Sequence, residues 1–332
     1  MLYRRLGHSG LQVSALSLGS WVTFARQVQL DSAQALIKTA FDAGINFFDN
    51  AEAYEHGESE KVMGQAIAGL GLPRDEYIVS SKVFWGGAKP TQKGLSAKHI
   101  VDACNAALQR LQVDYLDLYF CHRPDPDTPI EETVRAMHNL IVQGKVLYWG
   151  TSEWSAQEYT RAHAIARQYN MTPPQMEQSE YNLFTRERVE SEYRHLYDEL
   201  GMGVTVFSPL ASGVLTGKYN DSLQQSGRLN LPGYQWLKAI YESEEGKHRL
   251  DKTRQLAALA AEINIPLHHV ALAWCLSNPN VSSVILGASR LEQLQDNLRV
   301  LEYLERIDSS VLQRVETIMQ NRPPEPRNWK EN

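Results

Sequence analysis

The feature that most constrains this chain is the repetition of one unit, a short apolar run followed by an amphipathic helical pattern. The runs that we interpret as interior strands lie at residues 11–19, 44–49, 77–82, 115–121, 146–151, 175–180, 203–208 and 281–287. Most units occupy roughly 30–40 residues, and continuous apolar runs are typical of parallel strands that are covered on both faces. Eight such units predict an α/β fold, specifically a (β/α)8 TIM barrel.

The length of the chain is compatible with one such barrel. A chain of 332 residues is long for an average domain but ordinary for this architecture. We find no linker composition that divides it, and therefore expect a single domain over residues 1–332. One interval, between residue 208 and the last apolar run, is about twice the usual length. Its first part, 209–246, is rich in Gly, Ser, Asn and Pro with little helical period, which predicts a long cofactor-clamping loop.

Charge and cysteine content exclude several classes of protein. The formal net charge is −6 and Lys and Arg are not clustered, so nucleic-acid binding is not expected. No apolar run approaches the roughly 20 residues that a membrane span needs, and the first residues lack the apolar core of a signal peptide. The three cysteines, Cys104, Cys121 and Cys275, show no paired spacing. We therefore expect reduced, buried thiols, no metal site and a cytoplasmic location.

Polar residues with proton chemistry follow three successive apolar runs. Asp49 ends the second run, Tyr54 lies five positions later, Lys82 ends the third run and His122 follows the fourth. Each of these residue types alone is more often a turn, packing or solvated residue. Because the carboxyl ends of all barrel strands open on one face, we expect these four side chains to converge there.

Together the four residues suit proton donation to a carbonyl oxygen while a hydride reaches its carbon. A free phenol has a pKa of about 10. A Lys82 ammonium beside Tyr54 favours the phenolate and so makes Tyr54 a better donor. Asp49 would hold Lys82 by an ion pair, and His122 would orient the carbonyl or relay the proton. None of these groups supplies a hydride, which implies a nicotinamide cofactor.

Several ordered motifs carry a family resemblance. They are WVTF at 21–24, FDNAEAY at 48–54, HRPDP at 122–126, PIEETVRAM at 129–137, YWGTS at 148–152, SPLASG at 208–213 and GYQWL at 233–237. The chain resembles the aldo-keto reductases across essentially its whole length. Within that superfamily it is most similar to the β-subunits of voltage-gated potassium channels and their plant and microbial relatives. The catalytic tetrad of the family maps onto Asp49, Tyr54, Lys82 and His122.

The resemblance also implies a set of NADPH contacts. The nicotinamide end would be held by Trp21, Asp49, Ser152 and Gln178. The pyrophosphate would be lined by Ser208, Leu210, Ser212 and Lys218. The adenosine end would be held by Arg228, Gly287, Ser289, Gln293 and Asn297. This is not a Rossmann arrangement, and the absence of a convincing GxGxxG motif is consistent with that.

The chain departs from the family pattern at three positions. The animal channel subunits carry Asn where this chain has His122 and a basic residue where it has Glu153, and Phe207 replaces a Trp before Ser208. A small-molecule carbonyl substrate, a homotetramer and a membrane-channel partner are all implied by the resemblance.

Three hypotheses for function remain open at this point. The first is an NADPH-dependent aldehyde or ketone reductase, which His122 favours. The second is a channel-associated regulatory subunit that binds NADP(H) as a redox sensor at the same site. The third is a glycosidase-like barrel that uses Asp49 and Glu52, although it gives Lys82 no role and needs no cofactor.

Overall fold

The computed structural model describes residues 1–223, 227–231, 233–325 and 330, with the backbone alone of Arg228. The strands of this part are β1 (Tyr3–Arg5), β2 (Gln12–Ser14), β3 (Leu16–Gly19), β4 (Phe47–Asp49), β5 (Ile78–Val83), β6 (Leu116–Cys121), β7 (Val146–Ser152), β8 (Met176–Glu180), β9 (Gly203–Phe207) and β10 (Val281–Gly287).

Strands β3 to β10 form a closed barrel in which each strand pairs with its neighbours in chain order and β10 pairs with β3. The pairings are parallel, for example Leu18 with Phe48 and Ser80 with Leu118. Strands β5 and β6 are buried at every position. Burial of a whole strand in this way is expected for parallel strands that are covered on both faces. The (β/α)8 barrel predicted from the sequence is confirmed.

Helices connect the strands. Those of the described residues are α1 (Leu30–Asp42), α2 (Glu58–Leu70), α3 (Ala97–Leu111), α4 (Ile130–Val142), α5 (Ala156–Gln168), α6 (Arg194–Leu200), α7 (Gln235–Glu242), α8 (Glu244–Glu262), α9 (Leu267–Ser277), α10 (Leu291–Leu298), α11 (Val300–Tyr303) and α12 (Ser309–Met319). The start of α3 is fixed by Ser96, whose hydroxyl accepts from the His99 backbone N–H. Ser155 and Glu158 form a capping box at the start of α5.

The chain divides into two compact units. The first contains Met1–Ser179, His195–Phe207 and Pro279–Leu298, and the second contains Glu180–Arg194, Ser208–Asn278 and Arg299–Asn332. The first unit carries the barrel strands apart from Glu180, the last residue of β8. The assignment of 1–332 to one domain stays a prediction.

The first apolar run differs from its prediction as a single strand over 11–19. It is divided into β2 and β3 at Ala15, and only β3 belongs to the barrel. Strand β2 pairs antiparallel with β1, with Tyr3 opposite Ser14. An uninterrupted apolar run does not reveal where a chain leaves one sheet for another, which is why the hairpin was missed.

The prediction of a loop with little helical period over 209–246 is wrong in part. A 3₁₀ turn occupies Ala211–Thr216, helix α7 follows, and α8 begins at Glu244. Helix α7 buries Leu237 and Tyr241, four positions apart, and this helical spacing was overlooked among the surrounding Gly, Ser, Asn and Pro residues.

No single helix within the described residues has the length and apolar content of a membrane span. Helices α8 and α9 satisfy such a test only when taken together, and they are bent by 97° at the break between them.

Candidate active site

Alternate residues along a strand face the same side of a sheet, and this periodicity separates apolar from polar layers in the barrel. The apolar members Phe47, Ile78, Leu118, Phe120 and Met176 form one buried cluster with Leu6 and Val13 of the hairpin region. Two positions further along the chain come polar residues: Asp49 after Phe47, Ser80 after Ile78, Gln178 after Met176 and, just beyond the end of β6, His122 after Phe120. The polar layer therefore lies at the carboxyl ends of the strands.

The centre of this polar layer is Lys82, a fully buried lysine. Its Nζ atom lies 2.8 and 2.7 Å from the two carboxylate oxygens of Asp49, and it also donates to the Asn50 carbonyl oxygen at 2.8 Å. The hydroxyl of Tyr54 is 3.1 Å away. Lys82 lies inside β5, one residue before its end, rather than closing the strand as predicted. The strand thus brings together three of the four predicted catalytic side chains.

Asp49 receives two further hydrogen bonds. Ser80 Oγ donates at 2.8 Å and Gln178 Nε2 donates at 3.1 Å, both to Oδ1. Burial acts to lower the pKa of Lys82, but the charge of Asp49 and the hydrogen bonds to Asp49 and Tyr54 outweigh it. The pKa of Lys82 is therefore raised, and the lysine is an ammonium ion at neutral pH. Ser80 was missed in the sequence, although its position two residues before Lys82 places it on the same face.

Tyr54 keeps its proton at neutral pH. Burial raises the pKa of Tyr54 above that of a free phenol, and the charge of Asp49 adds to this effect. Lys82 acts in the opposite direction, as expected from the sequence, but does not reverse the net rise. Tyr54 is thus a protonated phenol next to the Lys82 ammonium group, which would stabilise the phenolate once the proton has left.

His122 is neutral in this environment. It is only 7% exposed, and burial, Lys82 and Arg123 together hold its pKa well below the usual range. Its ring lies edge-on to Tyr54, with centroids 5.9 Å apart, and to Trp85, at 5.1 Å. Its Nδ1 atom is buried and has no hydrogen-bond partner within the described residues. A neutral imidazole can donate one hydrogen bond and accept another.

A buried clamp that the sequence did not reveal joins the loops after β4 and β5. Glu52, two residues before Tyr54, accepts from the Phe84 backbone N–H at 2.7 Å. His99 places Nε2 3.4 Å from Glu52 Oε1 and Nδ1 2.9 Å from the Gly94 carbonyl oxygen. The carboxylates of Asp49 and Glu52 are therefore both engaged, which weakens the glycosidase alternative because that chemistry needs two carboxyl groups facing a substrate.

The remaining predicted cofactor residues of the first unit form two groups, one at the predicted nicotinamide end and one around the end of β10. Ser152 is buried at the end of β7, where its hydroxyl accepts from Arg123 Nη1 at 3.3 Å, while Trp21 is 37% exposed. After β10, the Ser289 backbone N–H and hydroxyl donate to Gln293 Oε1 at 3.0 and 3.1 Å. The other two predicted residues of this end are Gly287, which is exposed at the last position of β10, and the buried Asn297.

The second unit contains the residues predicted to line the pyrophosphate. Ser208 has a left-handed backbone with φ 54°, and Ser212 and Gly213 are also left-handed, with φ 58° and 92°. A Cβ atom added to Gly213 would lie 3.1 Å from Lys218 Nζ, so the ammonium group packs closely over this turn, which Leu210 precedes. A tight turn with a hydroxyl and a cation suits a phosphate group. The side chain of Arg228 lies outside the described residues.

Comparison with known proteins identifies the class that this barrel and its polar layer define. The model of the Aldo/keto reductase family matches residues 15–320, and the chain belongs to that family.

Two plant proteins give a finer relationship. The chain is 46% identical over 331 residues to a "Probable voltage-gated potassium channel subunit beta" of Oryza sativa subsp. japonica and equally to one of Arabidopsis thaliana. Each match covers 99% of this chain and all of the relative. The resemblance seen in the sequence motifs, to the potassium-channel β-subunit group of the aldo-keto reductases, is confirmed.

Proposed function

We propose that the protein reduces aldehydes or ketones to alcohols with NADPH. The observation that carries this proposal is the position of Lys82 Nζ, which is within hydrogen-bond distance of both Asp49 and the Tyr54 hydroxyl. A phenol beside a buried, charge-compensated ammonium group is suited to protonating a developing alkoxide.

Each residue of the tetrad has a distinct role in this proposal. Tyr54 donates its proton to the carbonyl oxygen, and Lys82 stabilises the phenolate that remains. Asp49 compensates the charge of Lys82 and holds it in place. His122, being neutral, donates a hydrogen bond that orients the carbonyl oxygen. A nicotinamide held by Ser152 and Gln178 would supply the hydride.

The predicted cofactor residues are suited to binding a dinucleotide that carries phosphate groups. Ser152 and Gln178 would bind the nicotinamide amide, and the Ser208–Ser212 turn with Lys218 would bind the pyrophosphate. Ser289, Gln293 and Arg228 would meet a 2′-phosphate, Arg228 by a forked contact. We therefore expect a lower dissociation constant for NADPH than for NADH. Equal constants, or a ratio that Arg228→Ala leaves unchanged, would contradict this preference.

The direct test of the activity is a panel of aldehydes and ketones assayed by consumption of NADPH. We expect saturable consumption with several members of the panel. Tyr54→Phe is the matched control because it removes only the proton donor. The proposal fails if no compound is consumed faster by the natural protein than by this variant.

A second candidate function is channel association, which the names of the two plant relatives favour. In this role the same site would bind NADP(H) and report its redox state to a potassium channel. Co-expression with a voltage-gated potassium channel tests it: the protein should change the current amplitude or gating, and the change should depend on the NADPH/NADP⁺ ratio. An unchanged current removes this candidate and leaves the reductase proposal intact.

We also propose a cytoplasmic homotetramer. A closed ring buries matching surfaces on every subunit without leaving an open end. Light scattering at micromolar concentration should give four times the chain mass of 37.6 kDa, whereas the mass of one chain at all concentrations would exclude the ring.

A further inference from the structure

Arg123 occupies the margin of the candidate active site. It follows His122 directly, and its Nη1 atom donates to the His122 carbonyl oxygen and to Ser152 Oγ. Its guanidinium carbon lies 5.5 Å from the ring centroid of Trp85. Its positive charge acts to lower the pKa of both Tyr54 and His122. A ligand held by Arg123 would therefore lie beside the proton donor.

One edge of this guanidinium group is unused within the part of the chain that the structure describes. Both hydrogen bonds of Arg123 come from Nη1, and neither Nε nor Nη2 contacts an acceptor there. Two other partly buried arginines of the first unit have carboxylate partners: Arg74 lies 2.6 Å from Asp117, and Arg110 lies 2.6 Å from Glu60. A partly buried cation without a counterion is unfavourable, and the Nε–Nη2 edge matches the two oxygens of a carboxylate.

Trp85 provides a flat surface next to this edge. The indole is 43% exposed, although it belongs to the loop that the Glu52–Phe84 hydrogen bond secures. It lies against Phe84 at a centroid distance of 4.8 Å and against His122 at 5.1 Å. An exposed but fixed aromatic ring is suited to packing against a planar ligand.

We propose that Arg123 and Trp85 select carbonyl substrates that carry a carboxylate on an aromatic or conjugated frame. The carboxylate pairs with the Nε–Nη2 edge of Arg123 and the planar frame lies against Trp85. The attraction between the carboxylate and Arg123 is local. The net charge of the chain is −6, which does not attract an anion, and the charge of Lys82 is compensated by that of Asp49. This assignment rests on the proposed reductase function and names the substrate class for the same site.

A matched pair of aldehydes separates charge from reactivity. One is 4-formylbenzoate, and the other is its methyl ester, which has a similar frame and no charge. The ester group withdraws electrons more strongly than the carboxylate, so intrinsic reactivity favours the ester. We expect the kcat/KM of the natural protein to be about tenfold or more higher for 4-formylbenzoate than for the ester, because one charge-assisted hydrogen-bonded pair supplies a preference of that size. The difference should lie mainly in KM.

Substitution of Arg123 tests the assignment to this residue. Arg123→Met should lower the ratio of the two kcat/KM values to about one or below, and Arg123→Lys should retain part of it. Because both aldehydes are measured on the same variant, any effect on cofactor binding through Ser152 cancels in the ratio. A ratio at or below one in the natural protein, or an unchanged ratio in Arg123→Met, overturns the proposal.

A binding measurement keeps this test separate from the proposed activity. In calorimetric titrations of the NADP⁺-loaded protein, 4-(hydroxymethyl)benzoate should bind about tenfold or more tightly than the corresponding benzamide, and Arg123→Met should abolish the difference. If neither aldehyde is reduced but this difference is found, the reductase proposal fails and the anion site stands. Equal binding of the two compounds overturns the anion site.

Discussion

Lys82 Nζ lies within 2.8 Å of both carboxylate oxygens of Asp49, at a position where the lysine is fully buried. The two residues belong to neighbouring strands, β4 and β5, which fix their separation. Charges buried in this way stabilise each other but leave a large penalty if one is removed alone. The pair therefore links the stability of the barrel to its proposed chemistry.

The first prediction uses this link. Lys82→Met should lower the free energy of unfolding by about 3–5 kcal/mol, because it leaves the Asp49 carboxylate buried without its counterion. The double variant Lys82→Met/Asp49→Asn should regain most of that stability without regaining activity, since neither side chain then acts on Tyr54. Urea unfolding and aldehyde reduction of both variants provide the measurements. A double variant no more stable than the single variant would contradict the coupling.

The second prediction concerns the pH dependence of the reaction. Because the pKa of His122 is held well below its usual range, His122 stays neutral throughout the neutral region. The pKa of Tyr54 is raised, so its proton is also retained there. We therefore expect kcat/KM to be constant between about pH 6 and pH 8. A break near the ordinary histidine pKa that disappears in His122→Gln would show that His122 titrates during catalysis.

The third prediction concerns the Glu52–His99 clamp and the pH dependence of stability. Burial acts to lower the pKa of His99, but the hydrogen bond and charge of Glu52 and the Gly94 carbonyl outweigh it, so the pKa is raised. The stabilisation is therefore complete below the unfolded-state pKa of about 6.5 and is lost as pH rises through the folded-state value. The stability advantage of the natural protein over His99→Gln should shrink as pH rises from about 6 to 9.

Urea unfolding at several pH values measures this advantage. Asp102 also contributes to the raised pKa of His99, so Asp102→Asn should weaken the pH dependence slightly. A pH-independent advantage at His99 would mean that the clamp does not depend on a protonated histidine.

The fourth prediction compares two glycines of helix α2. A Cβ atom at Gly64 would lie 2.5 Å from the Arg110 carbonyl oxygen and 2.6 Å from the Leu111 carbonyl carbon, which are backbone atoms of α3. Gly64→Ala should therefore destabilise the protein by about 1–3 kcal/mol. At Gly69 the nearest atom is Nε2 of the flexible Gln34 side chain, so Gly69→Ala should gain up to about 1 kcal/mol from helix propensity. Thermal or urea unfolding would contradict this account if the two variants behaved alike.

Much of the barrel could be predicted from the sequence because parallel strands buried on both faces have an unusually clear pattern. Strand β10 has the predicted bounds, 281–287. The end of β5 was predicted one residue too early, at Lys82, whereas the strand continues through Val83. Hydrophobicity locates a strand well, but its end depends on hydrogen bonds to the neighbouring strand, which a single sequence does not show.

The parts that could not be predicted depend on contacts between distant segments. Glu52 is engaged by Phe84 and His99, which lie 32 and 47 positions further along the chain. The unused edge of Arg123 is likewise visible only when its neighbours in space are known. Pattern and motif predicted the four candidate proton-transfer residues, whereas the clamp and the unused edge of Arg123 could be seen only in the folded chain.

The most direct test of the central claim is the single-turnover rate of NADPH oxidation in Tyr54→Phe with a saturating aldehyde. Lys82 keeps its bonds to Asp49 and Asn50 in this variant, so the fold and the NADPH dissociation constant should be nearly unchanged. The rate should fall by about 100-fold or more, because the phenol acts only as the alkoxide forms. A near-natural rate with unchanged NADPH binding would show that Tyr54 is not the proton donor.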